Sequence, residues 1–132
     1  SLGRRTHQDA PMPVHLKLDT GMHRLGFDAS ELDELIRRIK SNAMLKVCSV
    51  FSHLATSDEP AFDDFTRQQI ELFRQMSDRL VQAFDYPVLR HVLNSAGISR
   101  FPEAGFDMVR LGIGLYGIGA YESEQNQLEN VF

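Results

Sequence analysis

The stretch Val14-His15-Leu16-Lys17-Leu18-Asp19-Thr20-Gly21-Met22-His23-Arg24-Leu25-Gly26-Phe27 decides how the rest of the chain is read. It opens as an alternating strand, turns at Asp-Thr-Gly and at once presents an arginine. Side chains alternate along a strand with period two, so His15, Lys17 and Asp19 share one face, and Val14, Leu16 and Leu18 the other. The apolar face can pack against helices. Ionisable side chains in mid-strand are costly to bury unless they pair or do chemistry. The polar face is therefore either a wet sheet end with a structural ion pair or part of a site.

Working outward, the polar residues before position 13 carry Pro11 and Pro13 and read as a leader. After the strand, Ser30 followed by Asp33 resembles a capping box, and Leu32, Leu35, Ile36 and Ile39 make one apolar helical stripe ending at Lys40. Lys46–Leu54 reads as a second strand ending beside His53. Phe62, Phe65, Gln69, Phe73, Met76 and Leu80 trace a long helical stripe over 59–84, interrupted by one polar residue. Val88–Leu93 reads as a third strand closed by Asn94-Ser95-Ala96-Gly97, and Phe106–Leu111 as a fourth, followed by Gly112-Ile113-Gly114. Strands alternating with helices imply right-handed crossovers and parallel pairing. The fold class is α/β, built of parallel βα units.

Composition narrows the function. In 132 residues, 42% hydrophobic and 24% charged content is that of an ordinary globular domain. A net charge of -4 with no basic run argues against nucleic acid as a partner, and no segment has the length and apolarity of a membrane helix. The single Cys48 fits a reducing, cytoplasmic setting. The chain starts Ser-Leu, as a piece cut from a longer protein would. No HxH or CxxC spacing occurs, so no metal is expected.

Chemistry in parallel α/β folds gathers at strand C-terminal ends. There this chain puts Lys17, Asp19 and Arg24, then His53, then Asn94 and Ser95, then Arg110 and Gly112. His53 read alone could be a hydrogen-bonded structural histidine, and Ser95 only a helix cap. Arg110, set among apolar residues in Met-Val-Arg-Leu-Gly, cannot shed its charge and must face an acceptor.

Four runs, taken together and in order, closely resemble alanine racemase: Lys17-Leu-Asp-Thr-Gly-Met-His-Arg24-Leu-Gly-Phe, Phe51-Ser-His53-Leu-Ala, His91-Val-Leu-Asn94-Ser95-Ala-Gly and Val109-Arg110-Leu-Gly112-Ile113-Gly-Leu-Tyr116-Gly. The resemblance runs from about residue 13 to 119, with His23 standing where glycine or another small residue is frequent. It implies a fold-type III enzyme using pyridoxal 5'-phosphate (PLP), with a TIM-like (β/α)8 barrel followed by a β-domain and a head-to-tail dimer. Residues 13–119 would be barrel strands five to eight, 1–12 a flexible leader and 120–132 a polar tail toward the β-domain. Arg110 would face the PLP pyridine nitrogen. Ser95 and the amides of Gly112 and Ile113, with Asn94 beside them, would hold the phosphate. Arg24 would lie near the phenolic oxygen and the substrate carboxylate. Lys17 corresponds to a lysine carbamylated in many members, which orients that arginine, and His53 would support the catalytic tyrosine.

The resemblance also implies parts that find no match here: an upstream lysine holding PLP covalently and a downstream catalytic tyrosine. The fragment alone is expected to be inactive. The parent would interconvert L- and D-alanine, supplying D-alanine for peptidoglycan. Two alternatives remain open: another fold-type III PLP protein, or a non-enzymatic assembly module. Half a barrel would leave an inner face and two strand edges to cover, which points to a homodimer burying an apolar inner face.

Overall fold

The structure, a computed structural model, describes residues 10–119 together with Gln125 and Glu129. Residues 1–9 of the leader and most of the 120–132 tail lie outside them. Three parallel strands, β1 (Met12–Lys17), β2 (Leu45–Phe51) and β3 (Leu89–His91), form one sheet in the order β1-β2-β3. Helix α1 (Leu32–Lys40) connects the first pair and α2 (Asp63–Ala83) the second, as βα units demand. A short helix, α3 (Ser95–Arg100), follows β3.

The core lies between sheet and helices. Leu16, Leu18, Val47 and Val50 meet Leu32, Leu35, Ile39, Phe73, Met76 and Leu80, all buried. The Phe/Met stripe is core only in its C-terminal two-thirds; Phe62, in the 3-10 turn before α2, and Phe65 are exposed. The cap of the first helix also differs from expectation. Asp28, not Ser30, accepts the Ser30 amide, and Glu31 reaches back to the Asp28 amide, so the chain enters through a 3-10 turn before α1.

A bulge decides which way β2 points its side chains. Val14 pairs with Val47 and His15 with Ser49, leaving Cys48 unpaired. Before the bulge Val47 faces the core. After it Val50 does, three residues on rather than two or four, so Ser49, Phe51 and His53 turn to the face away from the helices. That inner face is not the apolar one expected. It carries His15, Lys17, Ser49, His91 and Arg110, with Phe51 stacked on the His91 ring at 5.1 Å.

No fourth strand forms among the described residues. The 106–111 segment runs beside β3, with the Asp107 amide on the Arg90 carbonyl (3.1 Å) and the Arg110 amide on Leu93 (3.0 Å), but enters no ladder. Phe106 stands at φ 45°, outside the extended region, with its ring edge-on to Phe73 at 5.1 Å. Packing of that ring bends the chain where a strand would begin. Two 3-10 turns follow α3, over Pro102–Ala104 and Ile113–Tyr116.

Candidate functional site

The strand ends, the start of α3 and the 110–119 segment enclose a cavity of about 650 Å³. His53, Asn94, Ser95, Arg110, Gly112 and Ile113 all line it, so six of the eight residues singled out in the sequence meet at one place. Lys17 and Arg24 do not line it.

Arg110 is fixed by the C-terminal ends of β2 and β3 together. Its Nη1 donates to His91 Nδ1 (2.5 Å) and to the His91 carbonyl (3.3 Å). Its Nη2 donates to the carbonyls of Ser52 (2.7 Å) and Val92 (3.4 Å) and reaches His53 Nδ1 at 3.5 Å. The guanidinium also lies over Phe51, 5.5 Å from the ring centre. No hydrogen bond is spent at Nε among the described residues, and no buried side-chain nitrogen or oxygen there lacks a partner. The Nε–H is thus left without a partner among the described residues, on a lining residue that keeps its charge.

A second donor set sits at the start of α3. Asn94 caps the helix by accepting the Gly97 amide (3.0 Å) and the Ser57 hydroxyl (2.8 Å), so its side-chain oxygen is already committed. Ser95 Oγ accepts the amides of Gly112 (2.9 Å) and Gly114 (3.1 Å), leaving its own O–H to donate. A Cβ on Gly114 would lie 3.1 Å from Leu111 Cδ1 and 3.3 Å from Ser95 Cβ. Only glycine backbone comes that close, so the loop wraps the serine. Ile113, first in its 3-10 turn, has no acceptor within it for its amide.

Cations surround the remaining groups. Burial and the charges of Arg110, Lys17 and Arg24 push the His53 imidazole below its usual range, holding it neutral near pH 7. Lys17 is half-buried on β1 and Arg24 exposed on the loop beyond it. Asp19 does not reach the cavity. It folds back to accept the amides of Gly21 (3.1 Å) and His23 (3.0 Å) and pairs with the His23 ring (3.3 Å). Although burial opposes them, those amides hold its carboxyl below the usual carboxylate range. Among the described residues no group of three metal-ligating side chains occurs, and no helix is long and apolar enough to cross a membrane.

Sequence reasoning gave no role to two residues that build the site. His91 closes β3 and receives Arg110; its place in a strand opposite Phe51 was the available signal. Gln69 looked like a flaw in the α2 stripe. It is 1% exposed, accepts the Ala55 amide (2.9 Å) and donates to the His53 carbonyl (3.2 Å) and Thr20 Oγ1 (3.3 Å). Thr20 in turn bonds Ser52, whose hydroxyl donates to the Leu18 carbonyl. A polar residue inside an apolar stripe, level with a strand end, is the pattern that marks such a tie.

Fold and site together define a parallel α/β protein with a cationic, amide-lined cavity at its strand ends. The sequence matches the family described as alanine racemase, N-terminal domain, over residues 2–120. It is 44% identical over 105 residues to the alanine racemase of Symbiobacterium thermophilum, covering 80% of this chain and 28% of that protein. With the Nitratidesulfovibrio vulgaris alanine racemase it shares 44% over 117 residues, covering 88% and 31%. The chain superposes on the crystal structure of alanine racemase from Streptomyces lavendulae with a TM-score of 0.78 at 30% identity, covering 89% of this chain and 32% of that one. For the Bacillus anthracis enzyme with bound L-Ala-P the TM-score is 0.76 at 29% identity, covering 89% and 31%. The chain belongs to the alanine racemase N-terminal domain family, and it spans about three-tenths of the length of these relatives.

Proposed function

We propose that this chain supplies barrel strands five to eight of a cytoplasmic, homodimeric alanine racemase that uses PLP to interconvert L- and D-alanine for peptidoglycan. Residues 13–119 are then the barrel half, 1–12 a leader and 120–132 the start of the link to a β-domain. The observation that carries the reading is Arg110, lining the cavity and pinned at both Nη atoms, with Nε making no hydrogen bond among the described residues.

The donor set fits the cofactor. A ring nitrogen can accept from Arg110 Nε–H, and a phosphate from the Ser95 O–H and the Ile113 amide; the Gly112 amide, expected to join them, is donated to Ser95 Oγ (2.9 Å) instead. Asn94 caps α3 with its side-chain oxygen, and its amide NH2 is left to donate toward the phosphate. When bound, PLP draws electron density from the substrate's α-carbon and so acidifies its C–H. Arg110 tempers that withdrawal, because a guanidinium does not hand its proton to the ring nitrogen. By the family resemblance Arg24, which lies outside the cavity lining on the exposed loop beyond β1, would take the substrate carboxylate, and Lys17, once carbamylated, would hold Arg24 by charge. His53 supports a catalytic tyrosine supplied elsewhere in the protein. The substrate reading draws on the L-Ala-P held by the Bacillus anthracis relative.

The test is PLP binding and D-alanine formation by the intact protein and its variants. Arg110→Ala should cut alanine turnover by about 100-fold or more, the usual effect of losing one aimed donor. Ser95→Ala should raise the PLP Kd about tenfold, equivalent to one charge-assisted hydrogen bond. An intact protein that binds no PLP, or an Arg110→Ala variant as active as the wild type, overturns the reading.

A further inference from the structure

Beneath Arg110 the inner face carries a hydrogen-bonded row that the proposed function does not use. His15 Nδ1 lies 2.7 Å from Ser49 Oγ, and Ser49 Oγ lies 3.1 Å from His91 Nε2. The row crosses all three strands, one residue from each, and ends on Arg110. It exists because of the bulge at Cys48, without which Ser49 would point into the core.

Proton bookkeeping fixes its direction. A guanidinium has only donors, so His91 Nδ1, 2.5 Å from Arg110 Nη1, must be the bare nitrogen. The single ring proton of neutral His91 is then on Nε2 and is donated to Ser49. The Ser49 hydroxyl, accepting there, sends its own proton to His15 Nδ1. Ser49 is 2% exposed and His91 8%, so water cannot readily replace the bond between them. Removing the hydroxyl would leave a buried N–H without an acceptor and free the ring to turn over or exchange tautomers.

We infer that Ser49 is a positioning residue for Arg110: its hydroxyl, oriented by His15, locks the His91 ring as the Nε2–H tautomer with Nδ1 presented to the guanidinium. The inference deepens the proposed function, since it assigns what aims the arginine of that same cavity. Ser49 touches neither the cavity nor Arg110, and acts only through His91.

The experiment uses the intact protein with histidine-selective 15N labelling and long-range proton–nitrogen correlation, without PLP and near pH 7. Expected for the wild type is a pure Nε2–H pattern at His91 with a slowly exchanging ring N–H. Ser49→Ala should lose that slow proton and move both ring nitrogens toward a tautomer average. The equal-volume pair Ser49→Thr and Ser49→Val separates hydroxyl from shape should the alanine variant fold poorly; threonine should keep the wild-type pattern and valine lose it. In PLP titrations the Kd should rise about fivefold in the alanine and valine variants and recover in threonine, a loss of part of one hydrogen bond to a charged group. An Nδ1–H or doubly protonated His91 in the wild type, or an unchanged pattern in Ser49→Ala or Ser49→Val, overturns the inference. Failure of the wild type to bind PLP overturns the proposed function and leaves the tautomer result standing.

Discussion

At the residue scale, conformational freedom and burial can be traded against function one side chain at a time. Gly26 stands at φ +125°, and a Cβ there would sit 2.8 Å from both the Asp19 nitrogen and the Leu18 carbonyl carbon. It lets the loop carrying Arg24 fold back onto β1, where Phe27 exchanges hydrogen bonds with Lys17 and Asp19 (2.9 Å each). Gly26→Ala should destabilise the intact protein by about 2–3 kcal/mol through backbone strain and clash, read as a lowered denaturant midpoint. His91 makes the second residue-scale prediction. Burial first, then the Arg110 and His15 charges, push its imidazole down to about 4. An unfolded histidine titrates near 6.5, so between those values the unfolded state binds a proton that the folded state refuses. Stability should therefore fall as pH drops from about 6.5 to about 4 and level off below. The loss should be about 2 kcal/mol, less than the whole shift because solvent screens part of it. Denaturation at several pH values checks it: His91→Gln should remove that slope, and an equal slope in the variant would assign it to other groups.

At the element scale, what the sequence made legible was periodicity, and what it hid was everything that breaks period. The alternation of Val14, Leu16 and Leu18 and the apolar stripe of α1 both hold. The bulge in β2 was invisible, because Val47, Cys48, Ser49 and Val50 read equally well in either register and only pairing with β1 places the extra residue. The missing fourth strand has the same cause in another form: Phe106 gives up extended geometry to pack on Phe73. The site residues were legible through motifs that place polar groups at strand ends, whereas His91 and Gln69 emerge only when neighbouring strands are brought together. Gln69 ties α2 to the ends of β1 and β2 and to the loop after them. Gln69→Leu keeps the volume but leaves the Ala55 amide and the His53 carbonyl without these partners. It should cost about 2–3 kcal/mol, the range for leaving buried groups unsatisfied. Hydrogen exchange should localise the damage, with the Ala55 amide losing protection before amides in the α1 core.

At the scale of the whole molecule, the described residues supply donors that can orient a bound anion, and under the proposed function a proton exchanged on two faces needs more groups than they bring to the cavity. The cavity is lined by Arg110, His53, Ser95 and glycine backbone, and no lysine is among its described lining residues. Lys17, the strand-end lysine, sits half-buried on β1, outside the cavity. His53, held neutral by burial and by three cations, is one base candidate, and racemisation needs proton removal and return on opposite faces. Proton transfer requires a group within hydrogen-bond reach of the reacting carbon on each face, which one histidine cannot supply. The relatives are three to four times longer than the segments matched here, so the remaining two-thirds of such a protein has room for the second base and the covalent anchor. The 132-residue chain by itself, given PLP and L-alanine, should therefore produce D-alanine no faster than PLP alone. The intact protein under the same conditions should turn over. The readout is D-alanine measured by chiral separation, with the Arg110→Ala intact protein as a control for the cavity's share. Turnover by the isolated chain clearly above free PLP would mean that Lys17 or His53 reaches the substrate after rearrangement, and would place both faces of the chemistry within this segment.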